Sequence, residues 1–194
     1  MDKPFSQACE NNKQPILEVL QQNFAACQRV LEIGSGTGQH AVYFAKKLPH
    51  LEWHTSDAEA NHAGINAWIK AEPSPNLHKP FSLVIGQDSW PQGNYDAVFS
   101  ANTAHIMQKY EIKLMMQLIN DALPSGGVFC QYGPFNKNGE YSSQSNADFD
   151  LHLKSNGYGG IRDIQDLQYW ARDLQLVEQV NMPANNLTLV WRKP

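Results

Sequence analysis

The sequence is poor in cysteine and contains no long apolar run. Its 194 residues include three cysteines, Cys9, Cys27 and Cys130, which lie far apart. No Cys-x-x-Cys pair or Cys/His ligand spacing accompanies them, so the sequence predicts neither a disulfide framework nor a metal site. No apolar run approaches the length that crosses a bilayer, and the polar N-terminus does not resemble a signal peptide. These absences favour reduced thiols in a cytoplasmic protein without a membrane partner.

Basic residues are also scarce. Fifteen Lys and Arg oppose nineteen Asp and Glu, which gives a formal net charge of −4. No basic run stands out, so the composition weighs against a nucleic-acid partner. The chain is long enough for one domain, 1–194, with a three-layer core. Composition gives no indication of an oligomeric state.

What the sequence does contain is a glycine-rich turn after a predicted buried strand. Residues 30–33 are mostly apolar, and a helix is predicted over 39–48. Between them stand Gly34, Gly36 and Gly38, which allow the backbone to turn sharply and to approach a ligand closely. The N-terminal amides of the helix point to the same place. This pattern predicts a small-molecule site at the end of a strand.

The identity of that small molecule can be narrowed from the turn itself. A dinucleotide-binding motif, G-x-G-x-x-G, requires glycine where Gln39 stands. The carboxylate of Glu32 is unfavourable for a pyrophosphate and suits a ligand with a cationic end. Asp57, about twenty residues beyond the turn, is placed to accept hydrogen bonds from ribose hydroxyls. A nicotinamide-dependent oxidoreductase therefore stays open as an alternative, supported by the glycines and Asp57 but opposed by Glu32 and Gln39.

The run V-L-E-I-G-S-G-T-G-Q-H over 30–40 resembles motif I of class I S-adenosylmethionine-dependent methyltransferases. The run Y-D-A-V-F-S over 95–100 is a second resemblance to that class. Asn12, the run G-I-R-D over 160–163 and the run M-P-A-N-N over 182–186 resemble a small branch of it, known as a domain of unknown function. The resemblance implies a three-layer, Rossmann-like α/β fold whose seven-stranded sheet is mostly parallel with an antiparallel last strand. It also implies S-adenosylmethionine as cofactor, but it does not supply the methyl acceptor. A macromolecular acceptor would need a long basic or flat surface, and the sequence offers no appended recognition domain, so a small-molecule acceptor is favoured.

The resemblance implies a set of cofactor-binding residues at the strand ends. Asp57 would bind the ribose, Asp88 the adenine amino group, and Asn102 would lie near the transferring methyl group. For Asp88, a role as a turn residue stays open. A helix within 1–28 would cover the amino-acid end of the cofactor. The complete set is Asn12, Glu32, Gly34, Ser35, Gly36, Gly38, His40, Asp57, Asp88, Ser89 and Asn102.

Catalytic and substrate residues are predicted from chemistry and position. Methyl transfer needs alignment in a dry pocket, and a general base only where the acceptor must lose a proton. His105 and His40 are the base candidates because histidine titrates near neutral pH, and the alternative for His40, beside the glycine turn, is that it only shapes the cofactor site. Tyr132 could orient an acceptor. Segment 133–160, rich in Gly, Asn and Ser, predicts a substrate lid that contains a short helix over 148–154. Phe135, Asn185 and Asn186 are candidate substrate contacts. A catalytically silent S-adenosylmethionine-binding or accessory protein is a further alternative.

Hydrophobic periodicity predicts the remaining elements. Residues 1–13 read as irregular, with Pro15 opening the first helix, and 71–80 read as a loop. Further helices are predicted over 59–70, 109–122 and 161–174, and further strands over 51–57, 81–85, 95–105, 128–132, 176–180 and 187–191.

Overall fold

The computed structural model describes residues 3–194 as a seven-stranded sheet flanked by helices. Residues 1 and 2 of the predicted 1–194 domain and of the predicted 1–28 segment lie outside the described residues. The sheet strands are β1 (Arg29–Ile33), β2 (Glu52–Asp57), β3 (Leu77–Ser82), β4 (Ala97–Ala101), β5 (Val128–Gly133), β8 (Gln175–Met182) and β9 (Asn186–Arg192), while β6 (Phe135–Asn136) and β7 (Arg162–Asp163) form a separate two-stranded ribbon. The helices are α1 (Gln7–Asn23), α2 (Gln39–Lys47), α3 (His62–Ala71), α4 (Lys109–Ala122), α5 (Gln144–Ser155) and α6 (Ile164–Trp170), with a 3₁₀ turn over Glu59–Asn61.

The strand order in the sheet is β3-β2-β1-β4-β5-β9-β8. Strands β1 to β5 are parallel, and β9 inserts antiparallel between β5 and β8. Six strands therefore run in one direction, and only the last strand in the sequence runs against them. This arrangement confirms the predicted fold class.

Each face of the sheet carries its own hydrophobic core. On one face, α1, α2 and α3 pack against strand side chains such as Trp53 and Phe99. On the other face, α4 and α6 pack against side chains such as Phe129 and Trp191. Strands β1 and β4 are buried on both faces over most of their length, which is why most of their residues are apolar. Within residues 3–194, no helix combines the length and the apolar character needed to span a bilayer.

The first helix begins earlier than predicted. Helix α1 starts at Gln7, and the Ser6 hydroxyl caps it by accepting a hydrogen bond from the Cys9 amide. Pro15 therefore lies inside the helix and does not open it. A proline removes one helical hydrogen bond, but burial of Ile16 and Leu20 against the sheet keeps the helix continuous. Residues 7–13 are helical, so their prediction as irregular was wrong.

The third strand is displaced from its predicted position. It covers Leu77–Ser82, whereas the sequence predicted a loop over 71–80 and a strand over 81–85. Pro80 lies within the strand, at the point where its register against β2 shifts. A proline is tolerated there because β3 is an edge strand, so that one side of it has no partner strand.

The predicted lid, 133–160, contains more regular structure than expected. It holds β6 and all of α5, a twelve-residue helix where a shorter one over 148–154 was predicted. Asp150 of α5 is 1% exposed and accepts hydrogen bonds from the Tyr141 hydroxyl at 2.5 Å and the Ile161 amide at 2.6 Å. The helix predicted over 161–174 is shorter, since Arg162–Asp163 pairs with β6 before α6 begins.

Candidate active site

Two adjoining cavities open at the carboxyl ends of the parallel strands, the edge at which open α/β sheets bind ligands. The first, about 720 Å³, is called the glycine-loop cavity and is lined in part by Gly34, Ser35, Gly36, Thr37 and Asp57. The second, about 620 Å³, is called the asparagine cavity and is lined in part by Asn11, Asn12, Asn102, Asn146 and Asn186. Ser6, Asn102 and Ile106 line both, so the two cavities share a wall.

The glycine loop packs closely against other parts of the protein at two of its three glycines. Gly34 has a φ of 74°, and a Cβ added to it would lie 2.4 Å from the Thr103 methyl carbon. Gly38, with a φ of 90°, would bring a Cβ to 3.0 Å from the Ile65 backbone. At Gly36 an added Cβ would meet no atom within 4 Å. The first and third glycines are therefore required by packing, and the second leaves open space beside the backbone.

The backbone amides of the glycine loop are largely used within the protein. The Gly34 and Ser35 amides both donate to the Ser56 carbonyl, at 3.0 and 2.9 Å. The Gly36 amide donates to Asp57 Oδ2 at 2.7 Å, and the Gly38 amide donates to the Ser35 carbonyl. A phosphate-binding loop instead points its amides at the ligand. These contacts fix the loop against β2.

Asp57 lies where the sequence predicted, at the carboxyl end of β2 and on the wall of the glycine-loop cavity. Its Oδ1 accepts hydrogen bonds from the Ala58 amide at 2.7 Å and the Asn61 side chain at 2.8 Å. Within residues 3–194, Oδ2 accepts only from the Gly36 amide. A carboxylate offers about four acceptor positions, so Asp57 retains acceptor capacity facing the cavity.

Glu32 does not line either cavity, contrary to its prediction as a direct cofactor contact. It is 2% exposed, and its Oε2 accepts hydrogen bonds from the Ser35 hydroxyl at 2.9 Å and the Trp53 indole at 3.0 Å. Burial raises the pKa of Glu32 to about 7. Because residue 32 precedes the end of β1, its side chain points into the core beneath the loop. Glu32 therefore positions the loop through Ser35.

Asp88 and Ser89 also lie away from the cavity walls. Asp88 Oδ2 accepts hydrogen bonds from the Ser82 hydroxyl at 2.9 Å and the Val84 amide at 2.7 Å. Asp88 thus closes the turn after β3, which is the alternative that the sequence left open. The earlier end of β3 explains the difference, because it brings residues 83–85 to the cavity in place of 88 and 89.

Side chains of α2 hold helix α1 over the glycine loop by hydrogen bonds. Gln39 Oε1 accepts from the Ser6 amide at 2.6 Å, and its Nε2 donates to the Glu10 carboxylate at 2.9 Å. His40 Nε2 donates to Asn12 Oδ1 at 2.6 Å, since an amide oxygen can only accept. The sequence predicted sites at Asn12 and His40 but gave Gln39 no role. No local signal marks Gln39, because its partners lie about thirty positions earlier in the chain.

Asn12, predicted to contact the cofactor, lines the asparagine cavity and not the glycine-loop cavity. It sits in the middle of α1 and is not a helix cap. His40 lines the glycine-loop cavity and stacks on Phe44 with ring centroids 5.2 Å apart. Burial lowers the pKa of His40 to about 4, so it is neutral at physiological pH. His40 therefore holds α1 in place through its hydrogen bond to Asn12, and its position does not favour a role as a catalytic base.

His105 and Tyr132, the predicted catalytic pair, both line the asparagine cavity. His105 is 6% exposed, and its Nδ1 is buried without a hydrogen-bond partner among residues 3–194. Burial, and secondarily the charge of Arg162, lowers the pKa of His105 to about 4. Burial also raises the pKa of Tyr132, whose hydroxyl lies beside the side chains of Asn12 and Asn186. Both groups are therefore uncharged at neutral pH.

The loop that carries His105 is held by Arg162. The Arg162 guanidinium donates to the Ala104 carbonyl at 3.2 Å and to the Met107 carbonyl at 3.0 Å, on either side of His105. The Gly160 amide donates to the His105 carbonyl at 3.0 Å. A Cβ at Gly159 would lie 1.9 Å from the Met107 oxygen, so this contact requires glycine. The sequence gave Arg162 no role, although it lies in one of the runs that carried the family resemblance.

Asn102 stands between the two cavities in a left-handed conformation. Its φ is 59°, and its amide donates to the Tyr132 carbonyl at 2.9 Å. Asparagine tolerates this conformation better than most side chains. Strained backbone of this kind concentrates at functional sites, which agrees with the predicted position of Asn102 near the chemistry.

The predicted substrate contacts are only partly brought to the asparagine cavity. Asn186 lines it, and its Nδ2 also closes the turn between β8 and β9 by donating to the Pro183 carbonyl at 3.1 Å. Asn185, with a φ of 58°, is a turn residue that does not line the cavity. Phe135 is 1% exposed and packs in the core against α4 and α6, because β6 carries it inward. Phe135 was therefore wrongly predicted as a substrate contact.

Solved methyltransferase structures share this fold. An O-methyltransferase family 2 protein from Planctomyces limnophilus DSM 3776, in complex with apigenin, matches with a TM-score of 0.83 at 15% identity, over 96% of this chain and 58% of that chain. An O-methyltransferase family protein from Burkholderia thailandensis matches with a TM-score of 0.78 at 16% identity, over 93% and 56%. Human N-acetylserotonin methyltransferase, in complex with SAM, matches with a TM-score of 0.74 at 12% identity, over 93% and 54%. The chain thus spans a little over half the length of these structures and has their fold.

A family model also matches the sequence. It is the model described as "Protein of unknown function (DUF938)", and the match covers residues 3–193. This agrees with the predicted resemblance to a small methyltransferase-like family of that description. Since the match extends over nearly the whole sequence, the chain belongs to the DUF938 family.

Proposed function

We propose that this protein is an S-adenosylmethionine-dependent methyltransferase that acts on a small molecule. The observation that carries the proposal is the pair of cavities, about 720 and 620 Å³, that share a wall at Asn102 and Ile106. Group transfer between two ligands needs two adjoining binding sites, so that the reacting atoms can be held in line. Solved proteins with this fold include one in complex with SAM and one, PigF, with SAH.

The residues of the glycine-loop cavity fit the proposed cofactor. Gly36 leaves open space beside the backbone, and Asp57 presents acceptor capacity for the ribose hydroxyls. Ser6 and Cys9 of the N-terminal segment line the same cavity, which supports a covering role for residues 3–28. When bound, S-adenosylmethionine supplies a methyl group already activated by its sulfonium. The chain's residues hold the reactants, orient them and exclude water.

The asparagine cavity is the proposed acceptor site. Asn146 and Phe149 of α5 line it, while Tyr158 lines the glycine-loop cavity, so segment 133–160 touches both. This supports the proposal that the segment acts as the substrate lid. Tyr132 and Asn186, at the ends of β5 and β9, complete the wall on the sheet side.

His105 is the proposed proton acceptor and acts through Nε2, because Nδ1 is buried. A histidine with a pKa of about 4 is a weak base. A weak base suffices when the acceptor atom attacks the methyl carbon first, because the methylated atom then holds its proton weakly. We expect His105→Ala to reduce kcat at least tenfold while it changes S-adenosylhomocysteine affinity by less than twofold. Unchanged turnover would remove His105 from this role.

The oxidoreductase alternative is weakened by the hydrogen bonds of the glycine loop. Three of its amides are engaged by Ser56 and Asp57, which leaves few donors for a pyrophosphate. A catalytically silent S-adenosylmethionine-binding protein would have the same glycine-loop cavity. It would differ from an enzyme only at the asparagine cavity, where no acceptor would be methylated.

The test is a calorimetric titration of the purified protein with S-adenosylhomocysteine and, separately, with NADH. We expect one-to-one binding of S-adenosylhomocysteine and no binding of NADH. Binding of NADH alone would overturn the proposal in favour of the oxidoreductase. With the cofactor established, an acceptor screen with a labelled methyl donor tests turnover, and binding without any transfer would favour the silent protein.

A further inference from the structure

The asparagine cavity is free of formally charged side chains. Among residues 3–194, fifteen line it, and none of them is Asp, Glu, Lys or Arg. Its two titratable groups, His105 and Tyr132, are both held in their neutral forms by burial. Five of the fifteen residues are asparagines. The wall is thus polar without carrying charge.

The asparagines are oriented by their own hydrogen bonds. Asn12 Oδ1 is occupied by His40, and its amide nitrogen lies beside the Tyr132 hydroxyl. Because that nitrogen carries two hydrogens, Asn12 retains one N–H to offer a ligand. Asn146 Nδ2 donates to the Ser142 hydroxyl at 2.8 Å and to the Asn185 carbonyl at 3.1 Å, so this side chain has its oxygen left to offer. One fixed donor and one fixed acceptor are what an amide-like ligand edge requires.

The rest of the wall is apolar. Phe149 lies edge-on to the His105 ring, with ring centroids 5.5 Å apart and planes at 68°. Ile106, Pro134 and Pro183 complete this surface. Aromatic and apolar side chains provide the contact area for a ring-containing ligand, while a few polar groups set its orientation.

We propose that the methyl acceptor is an uncharged small molecule that carries an amide-like pair of hydrogen-bonding groups beside a ring. This inference rests on the proposed function, because it names the substrate class of the proposed acceptor site. An ionised carboxylate or ammonium buried without a partner costs several kcal/mol, whereas an amide finds matched groups in this cavity. The cavity should therefore discriminate against charged analogues by a factor of ten or more.

Three isosteric probes test the proposal: benzamide is neutral, benzoate is anionic and benzamidine is cationic. Their binding is measured by ligand-observed and protein-observed NMR titration, with and without saturating S-adenosylhomocysteine. We expect benzamide to bind at least tenfold more tightly than either ion, with shifts at Asn146, Phe149 and His105. Benzoate or benzamidine binding as tightly as benzamide would overturn the proposal, and so would the absence of benzamide binding.

A negative charge placed in the asparagine cavity should reverse its preference for benzamide over benzamidine. In Asn146→Asp the new carboxylate should make benzamidine bind more tightly than benzamide. Ser145→Asp, on an exposed lining residue, makes the same test if Asn146→Asp does not fold. Asn94→Asp is the matched control, because Asn94 is exposed and lines neither cavity. An equal change in the control, or no change in either cavity variant, would contradict the assignment.

The probe titration and the cofactor titration refute different proposals. Absence of S-adenosylhomocysteine binding would refute the proposed function, while the probes still report on the charge preference of the cavity. Conversely, S-adenosylhomocysteine binding together with a preference for benzoate or benzamidine would leave the function intact and refute the acceptor class.

Discussion

Gly34 shows how one residue couples the glycine loop to the strand beside it. Its φ of 74° and the 2.4 Å approach of the Thr103 methyl carbon to an added Cβ both oppose substitution. We expect Gly34→Ala to lower the free energy of unfolding by about 2–4 kcal/mol, part from backbone strain and part from overpacking. Urea denaturation measures the loss.

The two contributions can be separated by a second substitution. Thr103→Ser removes the colliding methyl group and retains the hydroxyl that bonds to Ser100. Gly34→Ala combined with Thr103→Ser should recover the packing part and retain a deficit of about 1–2 kcal/mol from the left-handed backbone. If the double variant is as unstable as Gly34→Ala, the collision is not the cause.

Asp57 and Asp88 provide a matched comparison at two successive strand ends. Only Asp57 lines the glycine-loop cavity, while the Asp88 carboxylate is engaged by Ser82 and Val84. We expect Asp57→Ala to weaken S-adenosylhomocysteine binding at least tenfold, because hydrogen bonds to a carboxylate are worth about 1.5–3 kcal/mol. Asp88→Ala should change it by less than twofold. Calorimetry measures both, and thermal unfolding verifies that each variant is folded.

Equal losses of affinity in the two alanine variants would have a different meaning. Should Asp88→Ala weaken binding as strongly as Asp57→Ala, the adenine contact that the sequence predicted for Asp88 would gain support. Asp57→Asn keeps one acceptor oxygen and should fall between the wild type and Asp57→Ala. Equal affinity in all four proteins would refute the ribose assignment.

At the scale of elements, the sequence predicted most of the sheet because its central strands, β1, β4 and β5, are buried on both faces. Strands β1, β2, β4 and β5 and helix α4 lie where hydrophobic periodicity placed them. The failures involve proline and long-range pairing. Pro15 is held inside α1 by the burial of its neighbours, and Pro80 is accommodated at a sheet edge. Neither circumstance can be read from local sequence, since both depend on the tertiary position of the element.

The residues of the candidate site also fall into those that local sequence predicts and those that it does not. Gly34, Gly36 and Asp57 were predictable because turn, strand end and ligand geometry are local. Gln39 and Arg162 were not, because their hydrogen-bond partners lie far away in the chain. Residues that position an active site through distant partners leave no local pattern, whereas residues that shape a turn do.

Arg162 joins the segment after α5 to the loop that carries His105. Arg162→Met removes its hydrogen bonds to the Ala104 and Met107 carbonyls and leaves both oxygens without that donor. We expect a loss of about 1–3 kcal/mol in unfolding free energy and faster amide exchange over residues 104–107. Hydrogen exchange with mass spectrometry measures the local change, and kcat should fall with it.

Arg172→Met is the control for that experiment. Arg172 pairs with Asp121 at 3.2 Å on the surface, where ion pairs contribute about 0–1 kcal/mol. Arg172→Met should leave the rate of amide hydrogen exchange over residues 104–107 unchanged. In Arg162→Lys we expect partial recovery of protection from exchange, since lysine restores a donor but not the bidentate geometry of the guanidinium. Normal exchange in Arg162→Met would show that the loop is held by other contacts.

Considered as a whole, the molecule buries titratable groups whose effects on stability oppose one another. His40, His54 and His105 have pKa values of about 4, below the ordinary 6.5, so the stability they contribute above pH 6.5 is lost as the pH falls toward 4. Glu32 has a pKa of about 7, above the ordinary 4.5. Its contribution is therefore present below pH 4.5 and is lost as the pH rises through 7.

These opposing shifts predict the pH dependence of folding. Between about pH 5 and 6, unfolding takes up three protons at the histidines and releases one from Glu32, a net uptake of two protons. The free energy of unfolding should therefore fall by about 2.7 kcal/mol for each unit by which the pH is lowered. In Glu32→Gln only the histidines contribute, so the slope should rise by half to about 4.1 kcal/mol per unit. Urea denaturation at several pH values in this window measures both slopes. An unchanged slope in Glu32→Gln would mean that Glu32 is ionised in the folded protein, and its carboxylate would then have to be stabilised by more than the Ser35 and Trp53 hydrogen bonds.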